Sequence, residues 1–146
     1  TGGDVLVYVP GDRAVFTGDI LFIDGTPLMW AGPVRNWISA CEKIIAMDAD
    51  VIVPGHGPVT DKAGVQRVAD YLAYVDRESR KRFDAGMSVR DAAHDIALGD
   101  FSGWSDAERI AVNVDSLYRE YRGDGKVTPV IELFALMAEV RDAQRA

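Results

Sequence analysis

The 146-residue chain holds a single cysteine, Cys41, only two histidines, His56 and His94, and no long apolar run. One cysteine excludes an internal disulfide framework and suits a reducing compartment, so a cytoplasmic location is expected. No stretch approaches the roughly 20 consecutive apolar residues that cross a bilayer, and no signal-peptide pattern opens the chain; no membrane partner is expected. Positive charge is scarce too: 16 Lys and Arg stand against 23 Asp and Glu, a formal net charge of -7. A nucleic-acid binder needs a basic stripe to neutralise phosphates, and without one no nucleic-acid partner is expected. The one basic cluster, Arg80, Lys81 and Arg82, falls where the last turn of a helix favours cations.

What is present is material for a core. Apolar residues make up 48% of the chain, enough to bury the interior of one ordinary domain. The chain opens on Thr1 rather than Met, followed by Gly2, Gly3 and a strand-like run, and is expected to have lost an upstream segment. Asp4 to Val9 and Ala14 to Thr17 are rich in β-branched and aromatic residues and flank the turn residues Pro10, Gly11 and Asp12, which predicts a hairpin. Pro33 is placed as a first helical residue. After it, Val34, Trp37, Ile38, Cys41, Ile44 and Ile45 recur at helical spacing, predicting an amphipathic helix over 33–47 with Cys41 as a buried structural thiol. Asp50 to Val53 is a short apolar strand, and Val65, Val68, Leu72 and Val75 share one face of a helix over about 62–84. Beyond Gly86 the pattern is helical throughout. Ser88 with Asp91, and Ser105 with Glu108, have capping-box spacing, and Thr128-Pro129 opens a last helix. Ile110, Val114, Leu117 and Tyr121 form one apolar stripe; Leu133, Phe134, Met137 and Val140 form another.

Two motifs are candidates for chemistry, although a Gly-Asp turn is more often structural and a Gly-His-Gly loop can be a turn alone. Phe16-Thr17-Gly18-Asp19 closes one strand and Val53-Pro54-Gly55-His56-Gly57-Pro58 closes another, each setting a metal-ligand side chain beside glycine at a strand end, where a rigid scaffold meets a cleft. Carboxylate and neutral imidazole are both normal zinc ligands. His94, flanked by Asp91 and Asp95, fits no ligand spacing and reads as a surface or interface histidine. Trp30, Met29 and Trp104 are candidates for a pocket wall, although such residues more often serve packing; the substrate-binding residues stay unknown at this point.

In this order and separation, Thr1-Gly2-Gly3-Asp4, Phe16-Thr17-Gly18-Asp19 and Pro54-Gly55-His56-Gly57-Pro58 resemble the third, fourth and fifth metal-site motifs of the metallo-β-lactamase superfamily. The resemblance covers residues 1 to about 75. It implies an α/β fold, the C-terminal half of an αββα sandwich over residues 1–86, followed by a helical C-terminal extension over 87–146. It implies that Asp19 is the carboxylate bridging two metals and His56 the terminal histidine ligand of the second, while Thr1 and Asp4 match motif positions without being ligands. The histidine of the third motif would lie one residue before Thr1, and the family's principal His-x-His-x-Asp-His motif has no counterpart here. Two zinc ions in the complete protein are implied, with iron or manganese as alternatives; such a pair polarises a carbonyl and activates water at neutral pH. Phe-Thr-Gly-Asp followed by Ile20-Leu21-Phe22 is most similar to the thioesterase and lactonase branches, glyoxalase II among them, so the expected substrate is a small ester, thioester or lactone. Two readings stand beside this one: a non-catalytic interaction domain working through its helical surface, and di-iron oxygen or persulfide chemistry on the same fold. The chain by itself is expected to be catalytically inactive. The faces carrying Val5, Val7, Val15 and Ile52 are expected to lack cover, and so to need the missing N-terminal half or a second copy as partner.

Overall fold

The computed structural model describes residues 3–30 and 32–144. The hairpin forms where the β-branched runs predict it, with shorter strands: β1 is Val7–Val9 and β2 is Ala14–Phe16, antiparallel, with Tyr8 opposite Val15. Pro10–Asp12 makes a 3-10 turn that ends on Arg13 in the left-handed region, φ 49°. The third strand, β3 at Val51–Val53, pairs with β2 in parallel, with Val15 opposite Ile52. Between β2 and β3 runs α1, Val34–Ala46, and after β3 comes α2, Lys62–Asp84. Pro33 is extended and immediately precedes the first helical residue, Val34. Asp61 opens α2 by accepting hydrogen bonds from the backbone N–H groups of Ala63 and Gly64, as an N-cap aspartate does.

Side chains alternate across a strand, so the row Tyr8, Val15, Ile52 shares one sheet face. Val15 and Ile52 are fully buried there, in one core with Cys41 and Ile44 of α1 and Val65, Val68 and Leu72 of α2. This corrects the expectation for Val15 and Ile52, which face the helices and are covered. The opposite sheet face is the open one: Val7, Phe16 and Val51 are 54%, 47% and 40% exposed, and Val5, ahead of β1, is exposed as well. Cys41 lies in the buried interior, and burial pushes its thiol up to about 12, so it is a packing group rather than a nucleophile.

The C-terminal segments are helical as expected: α3 is Val89–Asp95, α4 Ile110–Arg122 and α5 Val130–Gln144. Ser88 caps α3 by accepting from the Asp91 N–H at 3.1 Å. The second expected capping box does not form. The backbone of Ser105 pairs with the segment at Asp24–Thr26 instead, and Asp106, in the left-handed region, leads through the 3-10 turn Ala107–Arg109 into α4. In α4 every residue from Ile110 to Tyr118 is buried, Asn113 and Asp115 included, while Tyr121 is only partly so. On α5 the buried stripe is Leu133, Leu136 and Val140; Phe134 turns outward, half exposed, because this helix is apolar on more than one side. His94 is exposed on α3. No helix among the described residues is long and apolar enough to cross a membrane.

The basic cluster at the end of α2 is organised around one acid. Glu78 accepts from Lys81 Nζ at 2.7 Å, from Arg82 Nη1 at 2.5 Å and from Arg77 Nε at 3.3 Å. These bonds, that of Lys81 first, hold its carboxyl down from 4.5 to about 2. A depressed carboxylate contributes stability above its unfolded pKa and loses it as pH falls through the folded one. Glu78→Gln should therefore lower the thermal midpoint at pH 7, with the gap from wild type narrowing as pH falls from about 4.5 to about 2, as circular dichroism melts would record.

Candidate functional site

Parallel pairing of β2 and β3 puts their C-terminal ends side by side, and the two motifs leave the sheet together. Thr17 N–H donates to Val53 O at 3.0 Å, extending the ladder past the strands. One step on, the two loops touch backbone to backbone. Gly55 N–H donates to Gly18 O at 2.9 Å, and a Cβ built on Gly55 would stand 2.5 Å from the Gly18 carbonyl carbon and 2.9 Å from the Asp19 nitrogen. Gly18 itself is in the left-handed region, φ 53°. Gly57, at φ 89°, lies so close to Ile23 that a Cβ would come within 2.1 Å of its carbonyl oxygen. Between these contacts His56 pairs with Leu21–Ile23: its N–H reaches Leu21 O at 3.3 Å and its carbonyl accepts from Ile23 N–H at 2.9 Å.

The outcome is that Asp19 and His56, 37 positions apart, meet: His56 Nε2 is 3.1 Å from Asp19 Oδ1. Both side chains remain open, 74% exposed for Asp19 and 53% for His56. The imidazole is held flat by Phe22, whose ring stacks on it at 4.2 Å and 10°. Trp37 of α1 donates from its indole Nε1 to Ile20 O at 2.7 Å, pinning the loop just after Asp19. Arg109 rests over the other ring of this stack, its guanidinium carbon 5.8 Å from the Phe22 centroid, within cation–π range.

Asp19 and His56 open into a cavity of about 600 Å³. Its wall is largely apolar, with Leu6, Ile20, Leu28, Trp30, Trp37 and Met47, and its charged groups are Asp4, Asp19, Lys43 and Arg109. Of the three residues named from sequence as pocket candidates, Trp30 lines the cavity, whereas Met29 and Trp104 are core, Trp104 stacked on Tyr71 at 5.3 Å. Asp4 lies on the cavity wall, and Thr1 falls outside the described residues. Trp37, Lys43 and Arg109 were not legible as pocket residues. Trp37 reads as one member of an apolar helical stripe, and Arg109 comes from the C-terminal helices, far away in sequence.

A carboxylate and an imidazole 3.1 Å apart, both solvent-open, are a donor pair of the kind zinc accepts. Two donors do not complete a four-coordinate shell, and among the described residues no three His, Cys, Asp or Glu side chains are grouped to hold a metal. Residues 1–56 match the model of the metallo-beta-lactamase superfamily. Over that stretch the chain is similar to the metallo-β-lactamase superfamily. The beta-lactamase-like protein 2 homolog of Caenorhabditis elegans is 31% identical over 75 residues, 51% of this chain and 24% of that protein. The hydroxyacylglutathione hydrolase of Brucella anthropi is 36% identical over 53 residues, 36% of this chain and 20% of that enzyme. Among solved structures, a stereoselective inverting sec-alkylsulfatase from Pseudomonas sp. superposes with a TM-score of 0.56 at 14% identity, over 87% of this chain and 24% of that one, a likeness of fold. The chain thus spans about a quarter or less of the length of these proteins.

The glycine contacts make a direct prediction. Gly55→Ala forces the two loops apart and should destabilise the protein by about 1–3 kcal/mol, the usual cost of overpacking. Gly57→Ala should cost at least as much, since it adds left-handed strain to the clash. Gly103→Ala, where a Cβ meets nothing within 4 Å, should be close to neutral in the same urea titration.

Proposed function

We propose that this chain supplies part of the metal centre and one wall of the substrate pocket of a metal-dependent hydrolase acting on a small ester, thioester or lactone. The observation that carries this reading is the 3.1 Å approach of His56 Nε2 to Asp19 Oδ1 at the mouth of an apolar cavity. In this reading Asp19 is a bridging carboxylate and His56 a terminal ligand, residues 1–86 provide the metal-binding loops, and residues 87–146 shape the pocket. Zinc, as a pair of ions, is the cofactor that fits the nitrogen and oxygen donors; iron and manganese take the same donors. Bound there, such ions would polarise a substrate carbonyl and lower the pKa of water. The chain's own part in the chemistry is positional. Phe22 and the backbone of Leu21–Ile23 fix the imidazole plane, Trp37 fixes the loop bearing Asp19, and the apolar wall excludes water from the acyl side of the substrate. The Brucella anthropi relative is a hydroxyacylglutathione hydrolase by name, which favours the thioester over the lactone. A cytoplasmic location accords with the single, buried cysteine.

With two ligands in hand the chain by itself should bind zinc weakly and hydrolyse nothing, and titration calorimetry of the 146-residue chain checks the first point. A polypeptide that also carries the remaining ligands should hydrolyse thioesters, lose the activity to a chelator and regain it with divalent metal. Losing a partner that merely orients a ligand costs about 10–100-fold in activity, so removing the bridging ligand itself in Asp19→Ala should cost at least about 100-fold. Full activity in that variant, or hydrolysis indifferent to chelation, would sink the assignment.

A further inference from the structure

The loop that follows Ile23 has little regular structure of its own, yet it carries Leu28 and Trp30 into the cavity wall. Its backbone bonds run to the C-terminal helical region, step by step. Thr26 N–H donates to Ser105 O at 2.9 Å, and Ser105 N–H to Asp24 O at 3.0 Å. Arg109 Nη1 donates to Thr26 O at 3.0 Å. Asn113 Oδ1 accepts from Met29 N–H at 2.8 Å, while its Nδ2 donates to Pro27 O at 2.9 Å and to Tyr71 Oη at 2.9 Å. Arg119 Nη2 donates to Trp30 O at 3.1 Å, and Glu120 Oε2 accepts from Val34 N–H at 3.0 Å, where the loop joins α1.

Asn113 is the central point of this grip. It is fully buried, as is Tyr71, so each of its bonds is shielded from water and each would leave an orphaned group if broken. An amide is the side chain that donates and accepts at once, and here it clamps the carbonyl of Pro27 and the N–H of Met29 on either side of Leu28. We propose that Asn113, seconded by Arg119, is a positioning residue for the pocket: it sets the path of residues 26–30 and thereby decides how far Leu28 and Trp30 project into the acyl side of the cavity. On the hydrolase reading above, on which this rests, the size of acyl group accepted is set from α4, away from the metal-ligand pair.

The test uses the 146-residue chain labelled with 5-fluorotryptophan, whose three tryptophans give three fluorine resonances assignable by Trp→Phe replacement. Asn113→Ala and Arg119→Ala should shift or broaden the Trp30 signal and leave the Trp37 signal in place. Tyr71→Phe is the control for a purely stabilising role: it breaks a bond within the buried network but none to the loop, and should lower the melting temperature without moving Trp30. If Asn113→Ala does not fold, the partly exposed Arg119→Ala decides the matter. A Trp30 resonance unmoved in the folded variants, or moved equally by Tyr71→Phe, overturns the proposal. In a polypeptide completed with the remaining metal ligands, Asn113→Ala should raise KM for a bulky aryl thioester several-fold against an acetyl thioester, with kcat held. Absence of any metal-dependent hydrolysis would sink the hydrolase reading alone, since the fluorine signals report the loop whether or not the protein is catalytic.

Discussion

The site depends on one contact: the backbone of Gly55 laid against the backbone of Gly18. Parallel strands stand roughly 5 Å apart, and loops leaving them would ordinarily diverge as side chains fill the space between. Glycine at 55 removes that filling, and glycine at 18 lets the backbone take its left-handed turn, φ 53°. The hydrogen bond from Gly55 N–H to Gly18 O then carries the sheet's pairing one step beyond β2 and β3, and the very next residues are Asp19 and His56. Their 3.1 Å approach is a consequence of backbone geometry, not of mutual attraction between two exposed side chains, which in water is worth little.

A second layer of constraint keeps that pair usable. The imidazole is stacked on Phe22, which in turn lies against Trp37 at 6.5 Å and beneath the Arg109 guanidinium. Trp37 reaches the Ile20 carbonyl from α1, so the helix between β2 and β3 braces the loop it follows. The rings supply apolar contact and orientation without capping the donors. Asp19 and His56 thus remain open to solvent while their directions are set, which is what the proposed metal-ligand role requires.

Periodicity made the helices legible. Lys62–Asp84 follows from the apolar face of Val65, Val68, Leu72 and Val75, and α1 from Val34, Cys41 and Ile44, because a helix buried on one side must repeat near 3.6. The two glycine-flanked motifs bearing Asp19 and His56 were legible as motifs, yet nothing local says that Gly18 and Gly55 touch, since that depends on parallel pairing across 37 positions. Which sheet face is covered was half legible. Alternation separates Val15 and Ile52 from Val7 and Phe16, but only the placement of α1 and α2 decides which set is buried. Ser105 misled for a physical reason: its spacing to Glu108 suits a cap, but the strand-like pairing with Asp24–Thr26 claims its backbone first. Asn113 and Asp115 were invisible as interior residues, since a polar side chain in a helix reads as solvent-facing until its partners are known. Asp115 is buried against Arg119 and Thr128, at 2.9 and 2.6 Å, as Asn113 is against the loop.

These partners divide the molecule's work in a way that follows from where each bond is made. The donor pair is held by sheet pairing, glycine contacts and the Phe22–Trp37 rings, all within residues 14–57 apart from the Arg109 guanidinium over Phe22. The pocket wall at 26–30 is held from Ser105, Arg109, Asn113 and Arg119, all beyond residue 104. Side-chain changes on α4 can therefore reshape the wall without touching the strand ends, whereas a side chain added at Gly55 disturbs the donors whatever the wall does. Loop residues 26–30 have few hydrogen bonds among themselves to resist such reshaping, and buried amide bonds of the Asn113 kind are costly to leave half made. A changed partner on α4 therefore leaves a buried group of the wall unpaired as well as loosening the loop.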